Sequence, residues 1–213
     1  MIDIFLATRN SHKVAEIGPM LAGKARLFSQ LDFPGAPAVV EDASTFAGNA
    51  AKKAEECAAW LAASPFAIRL NTLFYVLADD SGLEVDALDG VPGVRSARFA
   101  ATDARGTENS SDTDNNAKLL RLLEDVPLER RRARFRCALA LSESNRAARI
   151  FEGTCEGHVS FNSSGARGFG YDPLFIPDGY SKSFAELGED VKNKISHRAR
   201  ALALLRGFLV RAI

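Results

Sequence analysis

Short apolar segments and amphipathic helical segments alternate along the whole chain. Ile2–Ala7 is a short apolar run, and Val14, Ile17 and Leu21 then recur at helical spacing. The segment Thr45–Ala63 is rich in Ala, Lys and Glu, which favours a long helix. Further strands are predicted at Leu73–Ala78, Leu83–Ala87, Ala133–Leu141 and Ile150–Phe161, and further helices at Asp114–Glu124 and Ser196–Ala212. Interspersed strands and helices predict an α/β fold, with helices flanking a mixed β-sheet.

Composition narrows the class of protein. The chain has 213 residues, of which 46% are hydrophobic and 25% charged, so a single globular domain over residues 1–213 is expected. The 27 basic and 27 acidic residues balance, which argues against sequence-blind binding of nucleic acid. Three cysteines form no CxxC pair, and no apolar run is long enough for a signal peptide or a membrane span. We therefore expect a cytoplasmic protein that binds neither nucleic acid nor membrane.

A polar loop follows the first predicted strand and opens the first predicted helix. It consists of Thr8, Arg9, Asn10, Ser11, His12 and Lys13. Backbone N–H groups at a helix N-terminus favour an anion, and the ammonium group of Lys13 adds a full positive charge. The segment is either an anion-binding loop or an ordinary turn between a strand and a helix.

Two adjacent carboxylates, Asp79 and Asp80, come directly after a predicted buried strand and precede Ser81. The end of such a strand is a common place for catalytic groups in α/β proteins. Adjacent like charges are costly unless a proton, water or a cation compensates them, and Mg²⁺ prefers carboxylate oxygens. Glu41 could add a further carboxylate ligand. The alternative is a solvated turn.

Two side chains on the long helix share one face. Asn49 and Lys53 are separated by four residues, so both can point at the same ligand.

A glycine-rich loop and a cluster of donors lie near the C-terminus. The loop includes Phe169, Gly170, Tyr171 and Asp172. Glycine allows close approach of the backbone, and an aromatic ring offers a stacking surface, although a tight hairpin loop would have the same composition. Further on, Lys192, Ser196, His197 and Arg198 place several donors around the start of the last helix, where Ser196 could simply be the N-cap.

Arginines alternate with apolar residues in the fourth predicted strand. Arg132, Arg134 and Arg136 are interleaved with Ala133, Phe135 and Cys137. This period of two predicts one solvated basic face and one buried face rather than a nucleic-acid-binding patch.

Taken together and in this order, the motifs resemble those of the inosine/xanthosine triphosphate pyrophosphatase family, also called the Ham1-like family. The matching segments are LATRNSHKVAEI, EDASTFAGNAAKKA, LADDSGLEVDALDGVPGVRSARFA, GFGYDPLFIP and KNKISHRARAL, which run from Leu6 to Leu202. The resemblance implies a long mixed sheet with two lobes around a nucleotide cleft, and a homodimer. It also implies Mg²⁺-dependent hydrolysis of ITP, dITP or XTP to the monophosphate and pyrophosphate, which cleanses the nucleotide pool.

The resemblance also implies roles for individual residues. Thr8–Lys13 would bind the phosphates, and Lys53 and Lys192 would neutralise them. Glu41 and Asp80 would hold Mg²⁺, and Asp80 would also accept a proton from the attacking water. Ser81 would touch the substrate, and the base pocket would consist of Phe169, Gly170, Tyr171, Asp172, His197 and Arg198.

The chain departs from the family pattern in two places. Arg9 and His12 stand where the phosphate loop of the family often has glycine, and the stretch 63–74 is longer than usual, which predicts a surface insertion. Two other functions remain open. One is a related nucleotide hydrolase with another base preference, and the other is a nucleotide-binding protein without turnover, in which Asp80 or Glu41 would be expected to be lost.

Overall fold

A computed structural model describes residues 2–70, 74–101, 109–143 and 146–212 of the chain. The strands are β1 (Ile2–Leu6), β2 (Ala25–Ser29), β3 (Phe74–Val85), β4 (Arg132–Ser142), β5 (Arg149–Val159) and β6 (Phe175–Pro177). The α-helices are α1 (Ser11–Leu21), α2 (Phe46–Ala63), α3 (Asp112–Leu122), α4 (Phe184–Leu187), α5 (Glu189–Ile195) and α6 (His197–Ala212). Short 3₁₀ segments lie at Gln30–Asp32, Pro65–Arg69, Asp86–Leu88, Gly93–Arg98 and Leu128–Arg130. Within the predicted insertion, residues 71–73 fall outside the described part of the chain.

The described strands form one six-stranded sheet in the order β2-β1-β3-β4-β5-β6. β1 pairs in parallel with both β2 and β3, whereas β5 and β6 are antiparallel. Every residue of β1 is buried, which is the pattern of a central strand in a parallel region. The predicted α/β class with a mixed sheet and flanking helices is therefore confirmed.

β3 corrects one prediction from the sequence. The sequence predicted two strands separated by a charged corner, but β3 runs without interruption from Phe74 to Val85 and includes Asp79 and Asp80. The interpretation of this segment as a solvated turn is therefore wrong. Gly82 allows the side chain of Ser96 to approach this strand closely, because a Cβ at position 82 would lie only 2.3 Å from Oγ of Ser96. That hydroxyl accepts the N–H of the next residue, Leu83, at 2.9 Å.

The chain divides into two compact units. Unit 1 comprises Met1–Asp80, Cys137–Gly153 and Ala201–Ile213, and unit 2 comprises Ser81–Arg136 and Thr154–Arg200. The core of unit 1 packs Ile4 and Leu6 of β1 with Leu139 of β4 and with Leu202 and Leu205 of α6. The helix predicted at Ser196–Ala212 is thus confirmed, with His197 as its first residue.

Unit 2 has its own core, in which Leu119 and Leu123 pack with Phe135 and Phe175. Leu122, next to Leu123 in the sequence, is 45% exposed. The alternation predicted for the arginine-rich segment is confirmed, since Ala133, Phe135 and Cys137 are buried, whereas the arginines between them are not. The exposed arginines are paired with carboxylates. Arg134, for example, contacts Asp86 at 3.0 Å and Glu156 at 3.1 Å.

Candidate functional site

The loop that opens α1 is held by its own side chains. Asn10 is the N-cap of α1, and its Oδ1 accepts the N–H groups of His12 at 2.9 Å and Lys13 at 3.2 Å. Oγ1 of Thr8 accepts the N–H of Asn10 at 3.1 Å. The N–H groups of His12 and Lys13 are therefore engaged by the N-cap asparagine, and binding of an anion by this loop stays a prediction. Ser11 begins the helix and is exposed.

Arg9 provides a tether between two loops of unit 1. Its Nη2 donates to the carbonyl oxygen of Ala36 at 2.7 Å. This hydrogen bond fixes the loop beside the segment that leads to Glu41.

The ammonium of Lys13 points into unit 1 towards β3. It forms an ion pair with Oδ1 of Asp79 and also lies 3.3 Å from the carbonyl oxygen of that residue. Asp79 is 2% exposed, and its second carboxylate oxygen accepts the Sγ–H of Cys137 at 3.3 Å. Asp79 thus orients Lys13, a role that the sequence analysis did not assign.

Asp80 lies beside two residues of α2. Oδ2 of Asp80 accepts a hydrogen bond from Nδ2 of Asn49 at 3.0 Å, and Nζ of Lys53 lies 3.8 Å from Oδ1. The same ammonium contacts Oε1 of Glu41 at 3.0 Å and donates to the carbonyl oxygen of Asp79 at 2.8 Å. The spacing of four residues between Asn49 and Lys53 therefore brings both to the acidic segment, as the helix geometry predicts.

Both ends of the Asn49 side-chain amide are engaged within unit 1. The side chain is completely buried, and its contact with a ligand stays a prediction. Its Oδ1 accepts the N–H of Ala43 at 2.9 Å while its Nδ2 holds Asp80. Because both ends of the amide are engaged, Asn49 fixes the orientation of the Asp80 carboxylate.

The charges of this cluster do not balance. Lys13 and Lys53 face Glu41, Asp79 and Asp80, so one negative charge is in excess when all are ionised. Burial raises the pKa of Asp80 above its ordinary value, although Lys53 and Lys13 oppose this shift. Over the described residues, no group of three or more His, Cys, Asp or Glu side chains is arranged to hold a metal ion. Glu41 and Asp80 together can offer two carboxylates.

A second cluster lies in unit 2, around the glycine-rich loop. Asp172 is buried, and its Oδ2 accepts the N–H of Phe169 at 2.9 Å and the ammonium of Lys192 at 2.5 Å. Nζ of Lys192 also lies 4.5 Å from the centroid of the Phe169 ring. Lys192 thus pairs with a buried carboxylate next to that ring, and its predicted contact with phosphates stays a prediction.

Arg198 and His197 are both buried at the start of α6. Nη2 of Arg198 donates to Oγ of Ser81 at 2.8 Å, and its guanidinium carbon lies 5.8 Å from the centroid of Phe169. The ring of His197 stacks on Phe135 with 4.8 Å between centroids. The hydroxyl of Ser196 accepts the N–H of Ala199 at 3.1 Å, which agrees with the N-cap alternative. Unit 2 thus brings Ser81, Phe169 and Arg198 together.

Tyr171 requires a correction. The sequence suggested it as a stacking surface, but only 3% of it is exposed, and its hydroxyl donates to the carbonyl oxygen of Ser96 at 2.9 Å. The ring belongs to the core of unit 2, which leaves Phe169 as the half-buried aromatic residue of this loop.

Comparison with known proteins places the chain in a family. A sequence model described as the Ham1 family matches residues 4–208. The chain belongs to the Ham1 family.

Its relatives match over nearly their whole length. A dITP/XTP pyrophosphatase of Opitutus terrae is 47% identical over 96% of this chain and 97% of that protein. A dITP/XTP pyrophosphatase of Desulforamulus reducens is 50% identical over 94% of this chain and 92% of that protein. Among solved structures, a HAM1 protein from Coxiella burnetii superposes with a TM-score of 0.82 at 36% identity, covering 99% of this chain and all of that one. The Staphylococcus aureus Ham1 protein superposes with a TM-score of 0.80 at 35% identity and with the same coverage.

None of the described helices is both long and apolar enough to cross a bilayer.

Proposed function

We propose that this protein hydrolyses non-standard purine nucleoside triphosphates (ITP, dITP and XTP) to the monophosphate and pyrophosphate. The activity named for relatives that match over nearly their full length supports this function. The single structural observation that carries it is the buried carboxylate of Asp80, held by Asn49 and flanked by Lys53 and Glu41. This arrangement combines a candidate general base with cationic groups suited to a polyphosphate.

The acidic residues of unit 1 fit Mg²⁺. Glu41 and Asp80 share one ammonium, that of Lys53, so their carboxylates are close to a common point, and the cluster has an excess negative charge. Mg²⁺ is usually held by one or two carboxylates together with substrate phosphates and water, so two protein ligands are enough. When bound, the ion would offset phosphate charge and polarise the phosphoryl oxygens.

The protein's own residues would then handle the proton and the leaving group. Asp80 would accept a proton from a water molecule whose oxygen forms a bond to the α-phosphorus. The bond between that phosphorus and the bridging oxygen would break, which releases pyrophosphate. Lys13 and Lys53 would bind the departing phosphates, and Asn49 would hold the carboxylate of Asp80 in place.

Residues of unit 2 would recognise the base. The half-buried ring of Phe169 would stack on it, and Arg198 and His197 would donate hydrogen bonds to the 6-keto oxygen. Adenine presents a 6-amino donor instead, so it would face donors in a desolvated environment and bind poorly. Lys192 and Asp172 would support this recognition by fixing the position of Phe169.

The proposal extends to assembly and location. The resemblance that the sequence motifs carry supports a homodimer, and the cysteine content expected of a reduced compartment supports action in the cytoplasm. Light scattering coupled to size-exclusion chromatography would test the dimer, because a monomer at assay concentration would contradict it.

The deciding experiment is a pyrophosphate-release assay with ITP, XTP, GTP, ATP and CTP, with and without Mg²⁺. We expect rapid turnover of ITP and XTP that requires Mg²⁺, and little turnover of ATP or CTP. Equal turnover of all five nucleotides would overturn the base preference, and preference for CTP would indicate a related hydrolase. No turnover of any nucleotide would leave a binding protein.

A further inference from the structure

Both backbone polar groups of Gly170, in the glycine-rich loop, are bound by side chains of helix α3. The N–H of Gly170 donates to Oδ2 of Asp112 at 2.6 Å, and Nδ2 of Asn116 donates to the carbonyl oxygen of Gly170 at 3.0 Å. Asp112 and Asn116 are separated by four residues, so they lie on the same helix face one turn apart. A single helix face thus holds this glycine from both ends.

The two contacts of Gly170 differ in burial and in charge. Asn116 is only 8% exposed, so its hydrogen bond to the Gly170 carbonyl is partly shielded from water. Asp112 is exposed but charged, and it lies in the first turn of α3, where the helix dipole favours a negative charge. Gly170 itself has φ of +64°, a conformation that side-chain-bearing residues rarely adopt. The loop therefore depends on external contacts to keep this geometry.

Phe169 is the residue next to this fixed glycine. Its own N–H is bound by Asp172, so the backbone on both sides of its ring is anchored. The ring lies 4.5 Å from Nζ of Lys192 and 5.8 Å from Cζ of Arg198. A small shift of the Gly170 peptide would move the ring relative to these cations.

We propose that Asp112 and Asn116 are positioning residues for base recognition, acting through Gly170 on the ring of Phe169. This inference rests on the proposed function, in which Phe169 stacks on the base. Neither residue touches the reacting phosphates, so their loss should weaken binding of the nucleoside portion and leave the chemical step unchanged.

The test compares Asp112→Ala with Asp112→Asn, which keeps an acceptor oxygen for the N–H of Gly170. For Asp112→Ala we expect the KM for ITP to rise about tenfold while kcat stays within about threefold of wild type, since ground-state and transition-state binding are lost together. Asp112→Asn should restore most of the affinity. Asn116→Asp, which replaces the donor by an acceptor facing a carbonyl, should have a larger effect in the same direction. Asp125→Ala, an exposed aspartate just beyond α3, serves as the matched control.

Direct binding separates this inference from the proposed function. Calorimetry with IMP should show weaker binding by Asp112→Ala and Asn116→Asp, whereas inhibition by pyrophosphate should be unchanged. If wild type releases no pyrophosphate from ITP, the proposed function fails, and IMP binding still decides the positioning role. Unchanged KM and IMP affinity in both variants would overturn it. A fall in kcat alone, or equal weakening of IMP and pyrophosphate, would also overturn it.

Discussion

Replacing Asp80 by Asn separates the effect of this residue on catalysis from its effect on the free energy of unfolding. The substitution keeps the shape of the side chain and an oxygen that can accept the hydrogen bond from Asn49, which lies 3.0 Å away in the wild type. It removes the negative charge and the ability to accept a proton from water. Activity and stability should therefore change independently.

The expected loss of activity is large. Positioned general bases contribute about 10²–10⁴-fold to a rate, which corresponds to about 2.7–5.5 kcal/mol of transition-state stabilisation. We expect kcat for ITP to fall within this range in a pyrophosphate-release assay at saturating Mg²⁺. Turnover within about tenfold of wild type, a difference near 1.4 kcal/mol, would refute the assignment of Asp80 as the base.

The free energy of unfolding should not fall. Burial raises the pKa of Asp80, so the folded state disfavours the ionised form. A raised carboxyl pKa contributes stability that is present below the unfolded value and is lost as pH rises through the folded value. At neutral pH without Mg²⁺, Asp80→Asn should therefore be at least as stable as wild type in urea unfolding. Added Mg²⁺ should raise the Tm of wild type more than that of the variant.

Asp42→Asn is the matched control, because it makes the same chemical change at an exposed aspartate paired with Lys52. It should leave turnover, Tm and the response to Mg²⁺ close to wild type. A clear loss of stability in Asp80→Asn at neutral pH, with Asp42→Asn unaffected, would show that the carboxylate stabilises the fold and that the reasoning from burial is wrong.

Four further predictions concern other parts of the molecule. Lys53→Ala should raise the KM for ITP more than the inhibition constant for IMP, because the ammonium of Lys53 binds the polyphosphate. Equal increases in the two constants would show that Lys53 does not belong to the phosphate site. Arg198→Ala should lower kcat/KM for ITP far more than for ATP. A fall by the same factor for both nucleotides would show that Arg198 does not recognise the keto group. Arg131→Met should cost about 3–5 kcal/mol in urea unfolding, since the buried guanidinium binds three backbone carbonyls; a loss below about 1 kcal/mol would contradict this account. Burial raises the pKa of Cys57 and of Cys155 to about 11, so iodoacetamide at pH 8 should modify them only after unfolding, and rapid modification of the folded protein would show otherwise.

Local patterns predicted much of the fold and part of the site. The helical spacing of Asn49 and Lys53 placed both near the acidic segment, and alternation along β4 separated its buried and basic faces. These features depend on backbone periodicity, which neighbouring residues determine.

Contacts between distant segments were not predictable in this way. Arg131 lies within a run of arginines that reads as solvated, but its guanidinium binds the carbonyls of Leu123, Val126 and Ser160. Lys192 pairs with Asp172, which is 20 residues away, and the sequence did not indicate this pair. The local sequence does not distinguish a lysine that forms an ion pair with a buried carboxylate from one that binds a ligand. The pair Asp112 and Asn116 has a helical spacing that could have been noticed, but its partner Gly170 is more than 50 residues further along the chain.

The continuity of β3 resolves the problem that the two adjacent aspartates pose. In a turn, both carboxylates would share one solvated corner, and their repulsion would have to be relieved by water or a cation. In a strand, successive side chains point to opposite faces, so Asp79 and Asp80 acquire separate partners. The carboxylate of Asp79 pairs with Lys13, whereas that of Asp80 is held by Asn49 beside Lys53. Lys13 forms its ion pair with the first carboxylate, whereas Asp80 lies with Glu41 around the ammonium of Lys53. That difference in partners is what makes one of two identical neighbouring residues the candidate base and metal ligand.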